Sequence, residues 1–301
     1  MRNLTDTRIA DLWKNELANN LSIIGLIITT MGIILNIFCY LTAAHFKVQN
    51  SSITLLKCLA LWDSLAIVND GYVELGGHCL KYSLQDYNKY FCKIFYYHSW
   101  ASSVSSSLHM MALALDRVTA IHWPVWYKQN STPLLAHKVT LLIMGVCYVL
   151  TLPNIFKFDI VLSICTLNLT PFFALWYPAL VAIGFYCIIP FTVVSSCNVY
   201  FIYMLNRRKK EKSSGERRLT VMLLTNSTVF CVLIASTSFL VTLLYSLDTS
   251  TLQGIANSNL VLKSLSVLAV TNSSVNFVFY FISGPMFREN FFLIFKCKKR
   301  K

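Results

Sequence analysis

The sequence predicts an all-α membrane protein, a seven-transmembrane helix bundle with a short amphipathic eighth helix. Of its 301 residues, 55% are apolar and only 13% are charged, whereas soluble domains carry about 25% charged residues. The 20 Phe and 15 Tyr residues exclude intrinsic disorder, because disordered chains are poor in aromatic residues. Several runs reach the length of about 20 mostly apolar residues that a helix needs to cross a bilayer.

These runs give seven predicted spans, numbered 1 to 7. They cover residues 20–44, 53–77, 90–121, 136–155, 176–206, 217–246 and 260–283. The first apolar run is too long for a cleaved signal peptide and predicts a retained signal-anchor helix. We find no internal repeat. We therefore expect an extracellular tail at 1–19, a seven-span domain at 20–284, and an amphipathic helix with a basic cytoplasmic tail at 285–301.

The placement of the basic residues predicts the orientation of the chain. The net charge of +13 could indicate a nucleic-acid partner. With the N-terminus outside, however, most of the 26 basic residues fall on the cytosolic side, with clusters at 207–218 and 296–301. Cytosolic loops carry such an excess, and basic clusters bind anionic lipids. We therefore predict a multi-pass plasma-membrane protein with an extracellular N-terminus, contacts with membrane lipids and no nucleic-acid partner.

The ten cysteines divide between the spans and the outer side. Cys92 and Cys165 both lie on the oxidising side, where a bridge would tie the loop after span 4 to the top of span 3. Cys79 lies there too, as a free thiol or an alternative partner. Cys297 lies near the inner membrane surface and is a candidate for palmitoylation. The other cysteines considered fall within spans, where we expect buried packing residues: Cys39, Cys58, Cys147, Cys187, Cys197 and Cys231.

Two glycosylation sequons, at Asn3 and Asn168, fall on the predicted outer side and can carry glycan there. The other sequons fall inside the cell or within helices, and we interpret them as chance matches: Asn50, Asn130, Asn226 and Asn272. The glycan prediction therefore depends on the predicted orientation.

An ionisable residue in the middle of a span is costly and indicates function. Asp63 occupies such a position in span 2. Its candidate partners are polar residues of spans 1, 3 and 7: Asn36, Ser106, Asn272, Ser273 and Asn276. These oxygen-bearing groups could bind a sodium ion, because hard cations prefer oxygen ligands. The alternative is a hydrogen-bonded cluster that holds the helices together without an ion.

Asp70 and Glu74 lie four residues apart in the outer half of span 2, a spacing that places them on one helix face. Two carboxylates there would form an anionic patch at the mouth of the bundle. The patch is either a binding site for a cationic group of a ligand or a hydrated face under a loop.

Span 3 ends in Asp116-Arg117-Val118, and Cys92 lies 25 residues before Arg117. This pattern resembles the rhodopsin-like (class A) G-protein-coupled receptors, which carry Asp-Arg-Tyr at the end of span 3 and a disulfide cysteine at the spacing of Cys92. Further family motifs follow in the family order over about residues 20–297: Gly32–Asn36 (GxxxN), Leu59–Asp63 (LAxxD), Pro190, Asn276–Tyr280 (NFxxY), and the pairs Phe287-Arg288 and Phe291-Phe292 of an eighth helix.

The resemblance implies a receptor that binds an extracellular ligand and activates a heterotrimeric G protein. It also implies a disulfide between Cys92 and the loop cysteine Cys165. At the inner face it implies a switch formed by four residues. Glu216 starts span 6 at the family position of the acidic partner of the span 3 arginine, and the set is Asp116, Arg117, Glu216 and Tyr280.

The sequence departs from the family at several positions that carry the usual rotamer switch. Span 4 has no Trp, and span 6 has Ile234 and Ser236 where the family carries the Trp and Pro of CWxP. Span 5 has Asn198 at the usual Tyr position. The resemblance therefore does not extend to the standard account of activation.

The residues narrow the class of ligand. Ser99 stands where amine receptors carry Asp, and Val270 stands where opsins carry the Schiff-base Lys. Residues 272–284 look like invertebrate neuropeptide receptors of the FMRFamide type, and an acidic patch suits a peptide with an Arg near an amidated end. We therefore expect a peptide site formed by Asp70, Glu74, His98 and Ser99.

Three other classes of protein were weighed. A receptor for a non-peptide small molecule stays open, and so does a small transporter or channel, although transporters usually show paired repeats. An enzyme is disfavoured because Asp63, His98 and His109 form no recognisable nucleophile–base or metal set. We expect His109 to be a packed, hydrogen-bonded residue. No cofactor is expected apart from an allosteric sodium ion at Asp63.

Overall fold

The computed structural model describes residues 2–75, 86–161, 164–167, 177, 179–207, 215–247 and 252–295, and it leaves out some side chains within these ranges. It is a bundle of long helices, which confirms the predicted fold class. Six of the described helices are long and apolar enough to cross a membrane. The predicted span 3 is helical as well, but its serine-rich sequence is less apolar than the other six.

The elements follow the predicted order of spans. Span 1 is α1 (Arg2–Ala44), span 2 is α2 (Ser51–Ile67) with a π-helical continuation (Val68–Leu75), and span 3 is α3 (Lys89–His122), which is followed by α4 (Pro124–Asn130). Span 4 is α5 (Pro133–Thr151), which is followed by α6 (Asn154–Lys157) and by the antiparallel strands β1 (Phe158–Val161) and β2 (Ile164–Leu167). Span 5 is a π-helical segment (Ala179–Ile188) with α7 (Ile189–Arg207), span 6 is α8 (Gly215–Ser246), span 7 is α9 (Leu252–Ser274) with α10 (Asn276–Ser283), and the eighth helix is α11 (Pro285–Phe295).

Two elements differ from the prediction. The helix of span 1 begins at Arg2, so residues 2–19 of the predicted tail continue the first span as a helix. The segment after span 4 contains a β-hairpin, with Ile160 opposite Cys165 in its register, where we had expected a loop. Strands of only four residues give little signal beside long apolar helices.

Local sequence signals explain where several helices begin. Asn50 caps α2 by accepting a hydrogen bond from the Ile53 N–H at 3.0 Å, and Asn88 caps α3 by accepting one from the Phe91 N–H at 2.8 Å. Such caps satisfy backbone donors that a helix leaves free at its start. Pro124 occupies the first position of α4, where proline costs no hydrogen bond.

Span 1 packs closely on its neighbours because small residues recur along one face. Gly25 faces Leu75 and Val267, while Gly32 faces Ser274. A Cβ atom built on Gly32 would lie 2.1 Å from the Ser274 Oγ, so a larger residue would push spans 1 and 7 apart. Small residues at helix interfaces allow such close approach in membranes. The opposite face of α1 exposes apolar side chains: Ile23, Ile24, Ile27, Met31, Ile34 and Ile37.

The position of span 3 explains its polar sequence. It packs against spans 2, 4, 5 and 6, so much of its surface faces protein. Its small hydroxyl residues are buried, including Ser102, Ser105 and Ser107. His109 is also buried, and its ring nitrogens contact the Ser105 carbonyl at 2.7 Å and the Thr140 hydroxyl at 3.2 Å. This confirms the prediction of a packed, hydrogen-bonded histidine.

The six intramembrane cysteines are buried and unpaired, as predicted. We name the two ends of the bundle by their contents. The hairpin half contains β1 and β2, and the arginine half contains Arg117.

Candidate functional site

The β-hairpin is fastened to the top of span 3. A disulfide joins Cys92 to Cys165 with their Cα atoms 5.8 Å apart, which confirms the predicted bridge. Asp86 accepts a hydrogen bond from the Cys165 N–H at 2.7 Å. Tyr96 and Phe158 stack with their ring centroids 3.9 Å apart. The hairpin therefore has both covalent and packing contacts with the first turns of span 3.

Asp159 adds an ionic contact between the hairpin and span 3. Its carboxylate lies 3.2 Å from the Lys89 ammonium and 3.8 Å from that of Lys93. A hydrogen bond from the Ile160 N–H, followed by the two lysine charges, holds the pKa of the Asp159 carboxyl below its usual value. Because the group is exposed to solvent, this ion pair contributes little to the stability of the fold.

A cavity of about 140 Å³ lies within the hairpin half. Asp70 places a carboxylate in its lining and accepts hydrogen bonds from Ser99 Oγ at 3.0 Å and Ser103 Oγ at 3.3 Å. Four aromatic residues also line it, from spans 3 and 5: Phe95, Tyr96, Trp100 and Tyr186. The cavity can therefore hold a cationic or planar group between aromatic rings and one carboxylate.

The structure brings only part of the predicted ligand set together. Asp70 and Ser99 meet in the cavity, but His98 is not among the residues that line it. The His98 Nδ1 instead lies 2.6 Å from the Tyr148 hydroxyl of span 4. The side chain of Glu74 lies outside the described part of the chain. Sequence spacing does not fix the rotation of span 3 about its axis, so it could not place His98 relative to this cavity. The role of His98 in ligand binding stays a prediction.

The π-helical turns of spans 2 and 5 carry cavity residues. Asp70 lies in the turn Val68–Leu75, and Tyr186 lies in the segment Ala179–Ile188. Pro190 follows the second segment and lacks the N–H that a regular helix would use, which is a common cause of such irregular turns. Such π-helical segments occur frequently at functional sites.

Asp63 lies fully buried in the middle of the bundle. It accepts hydrogen bonds from Ser106 Oγ of span 3 and from Asn276 Nδ2 of span 7, the latter at 2.5 Å. Asn36 donates instead to the Ser273 carbonyl at 2.9 Å, and its Oδ1 has no partner among the described residues. Of the predicted cluster, Asn272 and Ser273 are also buried.

The cluster around Asp63 contains no ion pair with a lysine or arginine of the described chain. Its donors are neutral, and the Asn36 Oδ1 is an acceptor without a donor. A hard monovalent cation prefers oxygen ligands, and this cluster offers it an oxygen atom that a closed hydrogen-bond network would not leave free. The residues present therefore fit a sodium ion.

Asp116 and Arg117 form a second polar cluster in the arginine half. Asp116 accepts hydrogen bonds from the hydroxyls of Ser51 and Ser52 at the start of span 2. Arg117 is only 2% exposed, and its Nη2 lies 2.9 Å from an Asp116 carboxylate oxygen. The arginine also donates to the Tyr127 hydroxyl of α4.

Tyr127 is a residue that the sequence analysis missed. Its hydroxyl donates to Asp116 at 2.9 Å, and the Arg117 guanidinium lies 5.3 Å from the centre of its ring. No motif marked it, although its position ten residues after Arg117, in a segment starting with Pro124, could have suggested a short helix beneath span 3. The side chain of Glu216, the predicted partner of Arg117, lies outside the described part of the chain.

Tyr280 is fully buried and links spans 6 and 7. Its hydroxyl accepts a hydrogen bond from Asn226 Nδ2 at 3.0 Å. Asn226 is 1% exposed, which agrees with the interpretation of its sequon as a chance match. The polar character of Asn226 within an apolar span was the signal that could have found this contact. The remaining predicted sites, Asn168 and Cys297, lie outside the described residues, as does the side chain of Asn3.

The structure combines a seven-helix membrane bundle with a tethered hairpin, a cavity beneath the hairpin and a buried arginine at the opposite end. This arrangement is that of a seven-span membrane receptor. The sequence model of the 7 transmembrane receptor (rhodopsin family) matches residues 36–280. The chain therefore belongs to the rhodopsin family of seven-transmembrane receptors and is a multi-pass membrane protein. A search of curated proteins finds no match.

Membership of this family decides between a receptor and a small transporter or channel. Rhodopsin-family proteins are G-protein-coupled receptors, so the transporter or channel alternative was wrong. The family also implies an extracellular ligand and a G-protein partner.

Proposed function

We propose that this receptor binds an extracellular peptide and activates a heterotrimeric G protein at the plasma membrane. The observation that carries the peptide proposal is the cavity in the hairpin half, where Asp70 lies among the aromatic rings of Tyr96, Trp100 and Tyr186. This arrangement suits a guanidinium group, which forms ion pairs with carboxylates and stacks on aromatic faces. The ligand class we favour is a peptide with an arginine near an amidated end, as in FMRFamide-type neuropeptides.

The size of the cavity supports insertion of one end of the ligand. A volume of about 140 Å³ is close to that of an engineered cavity of about 150 Å³ that binds benzene. One terminal side chain fills such a space, and the rest of a peptide would extend to the β-hairpin. A small cationic molecule is the alternative that the same cavity supports.

The orientation completes the proposal. We propose that the N-terminus and the hairpin face the extracellular side, with glycan at Asn3 and Asn168. We propose that the arginine half faces the cytosol, with Cys297 palmitoylated beside the basic tail. The disulfide supports this assignment, because disulfides persist in oxidising compartments.

The proposed site of G-protein activation is the arginine half. Arg117 is buried against Asp116 and Tyr127, and we interpret this arrangement as the closed state of the receptor. We propose that agonist binding favours a state in which the guanidinium is released to the G protein. We also propose that Glu216 pairs with Arg117 and stabilises the closed state.

The test is a screen of amidated basic peptides in transfected cells with calcium and cAMP readouts. For an active peptide, Asp70→Asn should weaken the response at least tenfold, because the cationic group loses its ionic partner. The matched control is Asp159→Asn, which removes a carboxylate on the hairpin, outside the cavity. The analogue with citrulline in place of arginine should have the same potency on the wild-type receptor and on Asp70→Asn. Equal losses for both peptides would contradict a direct contact.

A further inference from the structure

Four consecutive polar residues, 225–228, interrupt the apolar sequence of span 6. They divide into two pairs. Thr225 and Thr228 donate to carbonyls of their own helix, those of Val221 at 3.0 Å and Leu224 at 2.9 Å. The middle pair, Asn226 and Ser227, is buried and forms hydrogen bonds to other spans. The middle pair therefore has a tertiary role that the flanking threonines lack.

Asn226 joins span 6 to span 7. Its Nδ2 donates to the Tyr280 hydroxyl at 3.0 Å, and it lies 3.9 Å from the Met110 sulfur of span 3. Asn226 is 1% exposed and Tyr280 is 0% exposed. The Asn226 Oδ1 has no partner among the described residues, so the amide nitrogen forms the interhelical hydrogen bond of this side chain.

Ser227 joins span 6 to span 5, on the opposite flank. Its hydroxyl lies 2.6 Å from the Asn198 Oδ1 and 3.0 Å from the Leu224 carbonyl of its own helix, so the shorter of its two contacts is the one that joins the spans. Ser227 and Asn198 are both buried. A second contact follows one turn further along, where the Ser195 hydroxyl lies 3.4 Å from the Cys231 sulfur. Span 6 is therefore held by side-chain hydrogen bonds on both flanks at the same height.

We propose that Asn226 and Ser227 form a two-sided latch that holds the inner end of span 6 between spans 5 and 7 in the closed state. Any displacement of this end away from the bundle lengthens both bonds together. The broken bonds leave the Tyr280 hydroxyl and the Asn198 amide in an apolar interior, where unpaired polar groups are costly. This latch sets the ratio of closed to open receptor. Its effect on basal signalling rests on the proposed G-protein activation.

The packing next to the latch agrees with a closed state. Met222, one turn before Asn226, contacts Gly284 so closely that a Cβ atom on Gly284 would lie 2.4 Å from its sulfur. Span 6 therefore lies directly against the end of span 7. Interhelical hydrogen bonds in membranes are modest, so each side of the latch should change the ratio roughly threefold to fifteenfold. A change of this size is suitable for a switch, because it leaves both states accessible.

The test measures the closed and open populations of the purified full-length receptor in nanodiscs, without ligand or G protein. A trifluoromethyl probe at the part-exposed position Val221 reports the two states of the inner end of span 6 by fluorine NMR. The variants are Asn226→Leu, Tyr280→Phe, the pair together, and Ser227→Ala. The matched controls are Thr225→Val and Thr228→Val, which remove hydroxyls bonded within the same helix.

The latch predicts that each single variant raises the open fraction and that both controls leave it unchanged. Asn226→Leu and Tyr280→Phe should not be additive, because either one breaks the same bond. Tyr280→Phe and Ser227→Ala remove only a hydroxyl, so they keep the test valid if Asn226→Leu does not fold. Unchanged populations in these two variants, or equal effects of the threonine controls, would overturn the latch.

The same variants separate this inference from the proposed function. A shift in the fluorine populations without any G-protein activation by agonist would retain the latch and contradict the proposed function. If a peptide activates the receptor but the fluorine NMR populations do not change in the Asn226 and Ser227 variants, the proposed function is retained and the latch is rejected.

Discussion

The two halves of the bundle solve the burial of polar side chains in different ways. In the hairpin half, Asp70 keeps its carboxylate at a cavity and accepts hydrogen bonds from Ser99 and Ser103, and the backbone around it is π-helical. In the arginine half, Asp116 is surrounded by Arg117, Tyr127 and two serines, and the helices are regular. The first arrangement leaves room for a ligand, and the second closes on itself.

The difference indicates where energy is available for a conformational change. Removing a partner from the closed cluster strands a buried charge, which costs several kcal/mol. Removing one from the cavity leaves a group that water can reach. We therefore expect substitutions in the arginine half to have larger effects than those in the hairpin half, the disulfide excepted.

The largest effect is expected for Arg117→Ala, which should abolish G-protein activation while agonist binding persists. The closed cluster loses its only described cation, so the free energy of unfolding should also fall by about 3 kcal/mol. Both are measured at matched surface expression, by second-messenger assay and by thermal unfolding in detergent. Lys57→Ala is the control, because Lys57 bonds to Gln49 and not to this cluster.

Glu216→Ala completes this test of the arginine half. It should raise ligand-independent signalling, because the closed state would lose a contact. Unchanged basal activity in Glu216→Ala would reject the proposed pair, and retained signalling in Arg117→Ala would contradict the assigned role of the arginine.

The disulfide is the exception in the hairpin half. Replacing Cys92 or Cys165 by Ser releases a hairpin tethered across a sequence separation of 73 residues, and chain entropy alone gives about 4 kcal/mol for such a bridge. Surface expression and agonist binding should both fall severalfold, as measured by flow cytometry and radioligand binding. The double variant should resemble either single one, and a more severe double variant would indicate that the two thiols are not bonded.

Between the two halves, Asp63 tests whether a neutral donor set binds a cation. Agonist affinity should be at least about fivefold lower in sodium than in N-methylglucamine at equal ionic strength, since allosteric couplings are commonly about 1–3 kcal/mol. Asp63→Asn should remove this difference, while Asp70→Asn should retain it. Identical affinities in the two salts for the wild type would leave only a hydrogen-bonded cluster.

The smallest effect is expected at Asp159, where the ion pair is exposed. Because the folded state lowers its pKa, the contact is present at neutral pH and is lost only as the pH falls below the ordinary value of 3.8. Agonist affinity should therefore not change between pH 6 and 8 through this group, and Asp159→Asn should change affinity less than about threefold. A larger change in radioligand binding would show that the hairpin depends on this contact.

Much of the architecture could be predicted because burial in lipid leaves a direct mark on sequence. Long apolar runs predicted the order of the seven spans, although the helices of spans 1 and 7 begin well before the predicted residues 20 and 260, at Arg2 and Leu252. The Cys92 spacing identified the bridge through the family resemblance. Asp63, Ser106 and Asn276 meet in the structure as predicted, because isolated polar residues in different spans at the same depth have few other partners.

The sequence by itself determined the depth of each residue along its helix, since hydropathy and charge follow the membrane normal. Only the tertiary structure decided which neighbour each side chain contacts. His98 contacts span 4 and not the cavity, Tyr127 joins the Asp116 cluster, and Asn226 reaches Tyr280. These contacts depend on the rotation of each helix about its axis and on the path of the connecting segments. Both are set by the packing of all helices together, which no single span encodes.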